Sequence, residues 1–252
     1  MNNKKFTFLI PSYNCENFIY KNSIKLIDKI KKTKISYKII FINDASSDNT
    51  LKELKKLESK YKNISIISYK KNLGKSAALQ IGLKKCKTNI VIFYDCDLPY
   101  FNYLAKLIKL LIKNAQFVTI DRKAIKSKID KSKLNFYQTA RLIISAIVNY
   151  IISVMLMKNF KGDTQSGLKG FYLNKRFKKQ RFVSKRFFLD AEIIAFFSNE
   201  GVKITSIPIN YKISKQSTIK IFDKANFIYI YELVKIIIFN KLIKFWYTNN
   251  LS

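Results

Sequence analysis

The stretch NIVIFYDCDLPY, residues 89–100, runs through five apolar residues from Ile90 to Tyr94 and stops on two carboxylates, Asp95 and Asp97, placed one residue apart. A short apolar run closed by a proline-bearing turn reads as a strand. Working outward, KFTFLI (5–10), YKIIFIND (37–44) and ISIISY (64–69) read as strands too. Helical spacing fills the gaps: NSIKLIDKIKK (22–32), DNTLKELKKLESKYK (48–62, with Asp48 or Thr50 as cap candidates) and SAALQIGLKKCK (76–87). Strands alternating with helices imply right-handed crossovers and a mainly parallel sheet. In such sheets ligands bind beyond the carboxyl ends of the strands, and Asp44, Asp95 and Asp97 all fall at such ends.

Further along, LAKLIKLLIKNA (104–115) reads as a helix, QFVTID (116–121) as a strand, and the Lys-rich segment 123–135 as a mobile loop. RLIISAIVNYIISVMLM (141–157) is almost wholly apolar, but its unbroken run falls short of the ~20 residues of a spanning helix. GDTQSGLKGFYL (162–173) and a basic segment precede FFLDAEIIAFFSNEG (187–201), a helix, and VKITSIPINYK (202–212), a strand. The tail 227–247 is apolar and aromatic, interrupted by Glu232, Lys235, Lys241 and Lys244. Without a Gly/Pro linker or an internal repeat, the chain divides into one domain, 1–215, and a helical appendage, 216–252, expected to associate with a membrane.

With 252 residues, 48% hydrophobic, the chain is long enough for a substantial core. Its net charge of +32 suits an anionic partner: nucleic acid, an acidic membrane surface or a phosphorylated substrate. Forty-three of the 48 basic residues are Lys in a chain also crowded with Ile and Asn, so compositional drift accounts for part of the excess. The five arginines are then the more informative phosphate ligands. The lysines spread along the whole chain with no recognition motif, which argues against a nucleic-acid binder. Three cysteines without a CxxC spacing, and no histidine, argue against a zinc site and a Cys/His nucleophile, and suit a reducing compartment.

The scarce acids cluster at Asp44/Asp48, Asp95/Asp97, Asp163 and Asp190/Glu192. On an extended strand, positions i and i+2 share a face, so Asp95 and Asp97 are expected to point together while Cys96 turns away. Two converging carboxylates repel unless a cation joins them. A partly open set of oxygen ligands suits Mg²⁺ or Mn²⁺, completed by phosphate oxygens and water.

A family resemblance joins these pieces. IPSYN (10–14), INDASSDNT (42–50), NLGKSAALQIGL (72–83) and DCD (95–97) resemble, in order and spacing, the nucleotide-sugar-binding half of family 2 glycosyltransferases with the GT-A fold. DTQSGLKGF (163–171) resembles the DTQCGFK signature of dolichyl-phosphate glucosyltransferases and their relatives, including dolichyl-phosphate mannose synthases, and FFLDAEII (187–194) resembles the segment that follows it there. The resemblance covers residues 6–215 and implies a mixed, mainly parallel sheet flanked by helices, with a C-terminal membrane-interface helix. It implies that Pro11, Tyr13 and Glu16 line the base and ribose pocket, that Asp44 reads the nucleobase and that Lys75 runs under the nucleotide. Asp95 and Asp97 match the diphosphate and metal positions. Arg122, Arg141 and Ser145 resemble the set that holds the acceptor phosphate; Arg141 and Ser145, four apart, share a helix face. Asp163, Gln165, Asp190 and Glu192 would shape the sugar pocket on the acceptor side. Asp95, Asp97, Arg122, Arg141 and Gln165 are thus the expected catalytic set. The sequence departs from the family pattern at Ile120-Asp121, Ser166 and Leu168, and in placing Glu16 one residue late, after Cys15.

The implied reaction moves a hexose from a nucleoside-diphosphate sugar to a polyprenyl (undecaprenyl or dolichyl) phosphate with inversion. An acceptor phosphate is already anionic, so the lack of histidine is no obstacle. UDP-glucose is the favoured donor, with GDP-mannose and UDP-N-acetylhexosamines behind it. The expected location is the cytoplasmic face of a membrane, peripheral or monotopic. A rival reading keeps the fold but transfers to a glycan hydroxyl, with Asp190 as base.

Overall fold

The computed structural model describes residues 4–124, 126, 128–130, 136–157, 160, 162–212 and 225–250, without the side chains of 128–130, 137, 138, 141, 211, 212, 225, 226 and 241–250. The first half alternates as its apolar periodicity requires: β1 (Lys5–Ser12), α1 (Ile19–Lys31), β2 (Ser36–Asn43), α2 (Thr50–Lys60), β3 (Ile64–Ser68), α3 (Lys75–Lys85) and β4 (Ile90–Tyr94). A short 3₁₀ turn leads into α4 (Leu104–Ile112) and β5 (Phe117–Asp121). After β6 (Lys128–Asp130) and α5 (Phe136–Leu156) come β7 (Leu168–Tyr172), α6 (Lys175–Lys179), α7 (Leu189–Asn199), β8 (Ile204–Pro208), β9 (Asn210–Lys212) and α8 (Ala225–Asn250).

Seven strands form one sheet in the order β3-β2-β1-β4-β7-β5-β8, and β6 pairs with β9 in a second, two-stranded one. All neighbours in the large sheet run parallel except β7, which lies antiparallel between β4 and β5. Side chains alternate across the pleat: Phe6, Phe8 and Ile10 of β1 enter one apolar layer with Leu26, Leu54 and Leu107. Leu9 enters the opposite layer with Phe171, Phe188 and Phe197. Both faces are therefore covered, as a mainly parallel sheet demands.

Several expectations change. Residues 168–172, read from sequence without an element, form the antiparallel wedge at the middle of the sheet. Two glycines and a lysine among its neighbours hide a strand whose residues are nonetheless buried. The stretch 202–212 is not one strand but two in different sheets, divided at Ile209 after Pro208, which has no N–H to continue a ladder. Within the expected loop 123–135, residues 128–130 form β6. Asp48 lies just before the first turn of α2 and still accepts from the Thr50 N–H (2.9 Å).

The apolar helix α5 is neither wholly core nor wholly exposed. It buries Asn149, Ile152 and Leu156, while Phe136, Ile143, Ile147, Tyr150 and Val154 are exposed in one stripe. α8 behaves alike: Leu233 and Ile236 pack inward, and Phe227, Ile230, Tyr231, Val234 and Ile238 are exposed. Among the described residues no helix is long and apolar enough to cross a membrane. Glu232 fastens α8 to the body. Its buried carboxylate accepts from the backbone N–H groups of Lys185 (2.5 Å), Arg186 (2.8 Å) and Phe187 (2.8 Å). Hydrogen bonds to a charged acceptor are the stronger class, and orphaned buried N–H groups are costly. Glu232→Ala should therefore lose roughly 3 kcal/mol of unfolding free energy, read as a lower urea midpoint.

Candidate active site

The carboxyl ends of β1, β2, β4 and β5 meet the start of β7 along one edge of the sheet, where the expected residues gather. The Asp44 carboxylate accepts from the Leu73 N–H (2.7 Å) and the Gly74 N–H (2.8 Å), and Asn72 Nδ2 donates to its carbonyl (3.1 Å). Asp44 thus ties the end of β2 to the segment entering α3, and any nucleobase it met would share oxygens already bonded. Gly74 must be glycine. Its φ is +94°, and a Cβ there would sit 2.8 Å from the Lys185 carbonyl oxygen. The carbonyls of Lys185 and Arg186 in turn accept from Ala77 N–H (2.8 Å) and Ser76 N–H (3.3 Å), satisfying orphan donors at the start of α3.

This places Lys75 at the centre of the edge. Its Nζ lies 2.6 Å from Asp95 Oδ1 and 3.8 Å from Asp190 Oδ2. Burial alone would lower the Lys75 pKa, but Asp95 and Asp190 outweigh it and raise the value. Asp190 in turn pairs through Oδ1 with Lys169 Nζ (2.6 Å), a side chain with no solvent exposure. Asp95, Lys75, Asp190 and Lys169 therefore form a row of alternating charge from the mouth of the site into the core.

The DCD geometry differs from the expectation. The strand ends at Tyr94, and Asp95–Leu98 is a turn closed by Leu98 N–H to the Asp95 carbonyl (3.0 Å), with Leu98 at φ +54°. The two acids are thus neighbours through a turn rather than through strand alternation. Leu98 and Pro99 prevent the strand from continuing. Partial desolvation of the Asp97 carboxyl, although the residue keeps an exposed surface, and the charge of Asp95 both raise the Asp97 pKa. Among the described residues no Lys or Arg pairs with Asp97, and no group of three or more His, Cys, Asp or Glu converges. Two crowded carboxylates, one of them without a cation, fit a hard divalent ion that takes its other ligands from phosphate and water. Cys96 turns inward beside Cys15. Their mutual hydrogen bond, then burial, push its thiol well above the ordinary range, so it supplies no thiolate.

Behind the turn, Asp95 N–H donates to the Gly167 carbonyl (3.1 Å), and a Cβ at Gly167 would collide with the Asp95 carboxylate. The DTQ segment is therefore packed directly on the DCD turn. Asp163, fully buried, holds Arg122 through Nε and through Nη2 (2.9 Å), and also accepts from the Gln165 N–H (3.1 Å). Burial opposes its ionisation, but Arg122 prevails and lowers its pKa. Arg122, expected to hold a phosphate, thus first organises this segment. Beside it, Lys123 Nζ donates to the Ser145 carbonyl of α5 (2.9 Å); the residue is exposed, but partial desolvation lowers its pKa to about 8. The side chain of Arg141 lies outside the described residues.

Gln165 reaches a residue that the sequence did not mark: its Nε2 donates to Tyr229 Oη of α8 (3.1 Å). The Tyr229 ring packs on Phe187 and Phe188, with centroids 5.4 and 4.4 Å away. Glu192, expected to face the sugar, instead accepts from the Val183 (3.0 Å) and Ser184 (2.9 Å) N–H groups beneath the 183–188 loop. α7 buries that face against the loop, so Glu192 looks away from the mouth. At the other end, Tyr13 is exposed beside Pro11, and Glu16 accepts from the Asn49 N–H (2.7 Å). Lys123, Lys169, Tyr229 and Glu232 complete the constellation. The only hints of them in sequence were a lysine between glycines and a lone acid in an apolar tail.

Residues 7–171 match the profile of the family described as Glycosyl transferase family 2. Across 94% of the chain and 74% of the relative, the sequence is 26% identical to the dolichyl-phosphate beta-glucosyltransferase ALG5A of Trichomonas vaginalis. A second protein of that organism, dolichyl-phosphate beta-glucosyltransferase ALG5D, is 25% identical over 85% of the chain and 68% of its own length. Among solved structures, glucosyl-3-phosphoglycerate synthase from Mycobacterium tuberculosis with Mn²⁺ and UDP-glucose superposes with a TM-score of 0.59 at 16% identity, over 86% of this chain and 73% of that one. The mannosyltransferase PcManGT from Pyrobaculum calidifontis, with GDP-mannose and Mn²⁺, gives 0.55 at 15% identity, over 84% and 58%. The fold is the GT-A fold expected from the sequence.

Burial raises the Glu192 pKa from an ordinary 4.5 to about 7. The folded state then binds more protons than the unfolded state between those values, so stability is greatest below the lower one and falls as pH rises through the upper. Replacing Glu192 by Gln should flatten that fall, worth roughly 3 kcal/mol, in denaturation curves taken across the interval.

Proposed function

Because the chain belongs to glycosyl transferase family 2 and is a glycosyltransferase, we propose that it transfers a hexose, glucose favoured, from a nucleoside-diphosphate sugar to a polyprenyl phosphate at a membrane surface. The observation that carries this reading is the position of the Arg122–Lys123 corner against α5. Lys123 reaches the Ser145 carbonyl, while Ile144 and Ile147 on the same helix are exposed. A phosphate held at that corner would leave its hydrocarbon chain along the apolar stripes of α5 and α8. The two Trichomonas relatives carry names for this chemistry, glucosyl transfer to dolichyl phosphate.

Asp95 and Asp97 would hold Mg²⁺ or Mn²⁺, which neutralises charge on a departing diphosphate when bound. The chain's own groups do the rest. Lys75, held cationic by Asp95 and Asp190, adds positive charge beside the diphosphate. Asp190 keeps Oδ2 toward the sugar side. Arg122 and Lys123 place the acceptor phosphate, whose oxygen is already anionic and attacks without a base. Direct attack inverts the anomeric centre, giving a β-linked lipid phosphosugar from an α-linked donor. Exposed Ile, Phe and Tyr side chains on two adjacent helices, with the lysine excess, favour attachment to the surface of an anionic bilayer.

The test presents purified protein, with Mg²⁺ or Mn²⁺, radiolabelled UDP-glucose, GDP-mannose and UDP-N-acetylhexosamines together with short polyprenyl phosphates. Labelled lipid is expected with UDP-glucose; transfer only to a soluble glycan would overturn the reading. Asp97→Asn should abolish turnover and metal-dependent donor binding while leaving the melting curve unchanged. Lys123 is charged below about 8 and loses that charge above it. The KM for the polyprenyl phosphate should accordingly rise as pH passes that value, and Lys123→Met should raise KM at neutral pH by about tenfold and remove the pH step.

A further inference from the structure

The mechanism leaves Lys169 without a task, although a fully buried lysine is a costly feature. It lies in β7, backbone-paired between Phe93 and Thr119, and its side chain has no solvent exposure. Compositional drift toward lysine fills surfaces; it does not explain an ammonium in the core, where desolvation costs several kcal/mol unless it is fully paired. Burial lowers the pKa of Lys169, and Asp190 opposes that effect. Nζ donates to the Ser166 carbonyl (2.7 Å) and pairs with Asp190 Oδ1 (2.6 Å). An apolar residue would satisfy packing there equally well.

What the pair accomplishes is visible at the other oxygen. Asp190 Oδ2 is 3.8 Å from Lys75 Nζ, too far for a hydrogen bond. Lys75 itself is engaged by Asp95 at 2.6 Å. Asp190, itself buried, therefore has one oxygen held tightly from below and the other engaged only by the longer ion pair to Lys75. We propose that Lys169 is a positioning residue for the donor sugar: by fixing Oδ1 of Asp190 it directs Oδ2 to receive a hydroxyl of the hexose being transferred. Without Lys169 the carboxylate would turn onto Lys75, drawing that lysine from Asp95 and removing the sugar's acceptor. The inference rests on the nucleotide-sugar reading of the site and not on the identity of the acceptor.

The test compares nucleotide and nucleotide-sugar binding by calorimetry, with Mn²⁺, using the pairs UDP/UDP-glucose and GDP/GDP-mannose. In Lys169→Met the diphosphate should bind within about twofold of wild type, while the affinity gained from the sugar disappears and kcat falls about 20- to 100-fold. Lys169→Arg, which keeps the charge, should restore part of kcat. Equal loss of diphosphate and nucleotide-sugar binding would make the role purely structural and overturn the proposal, as would normal kcat. If Lys169→Met fails to fold, the double variant Asp190→Asn/Lys169→Met removes both charges together. It should fold and bind diphosphate yet show no sugar-dependent gain, and a recovered gain would overturn the proposal. These binding arms stand even if no lipid product forms, so failure of the acceptor reading and failure of this one are separable.

Discussion

Strand β7 runs against its neighbours, pairing with β4 on one side and β5 on the other, and this reversal brings the two halves of the site together. In a wholly parallel sheet the carboxyl end of each strand delivers a loop to the ligand edge. Reversing β7 delivers its amino end there instead. The DTQ segment therefore arrives at the same edge as the DCD turn, and Gly167 can lie against Asp95 with no room for a side chain between them. Lys169, one strand position beyond Leu168, then reaches Asp190 on α7.

Electrostatics at this edge follow from the same crowding. In a chain of net charge +32, several of the few acids are gathered where they are partly withdrawn from water, and three of them are answered by a cation. Asp95 meets Lys75, Asp190 meets Lys169, and Asp163 meets Arg122. Asp97 has no such partner among the described residues, and it is there that the proposed divalent cation would sit. The bland explanation of the basic excess and the functional one are thus compatible: most lysines decorate the surface, and a few are fixed by buried acids.

α8 is more than an apolar appendage. Glu232 holds the 183–188 backbone, and that loop holds the first turn of α3, from which Lys75 extends. Tyr229 meets Gln165. A helix with an apolar outer face is therefore mechanically joined to Lys75 and its neighbours, so contact at that face and geometry at the candidate site share one set of hydrogen bonds.

Alternating apolar runs and amphipathic helices determined the parallel half of the sheet, since periodicity alone says which face of each element must be buried. Position at strand ends marked Asp44, Asp95 and Asp97 as candidate site residues, and a family pattern extended this to the DTQ and FFLDAE segments. Only the tertiary structure decided the direction of β7, because antiparallel insertion between distant strands leaves no local period. Only it separated Asp190, facing Lys75, from Glu192, two residues later and bound beneath a loop. It alone showed Arg122 committed to Asp163, and Lys169 and Glu232 as buried charges. A charge in the core is legible only with its partner, and here the partners are 21 residues away for Lys169 and more than 40 for Arg122 and Glu232. That pairing belongs to the folded chain.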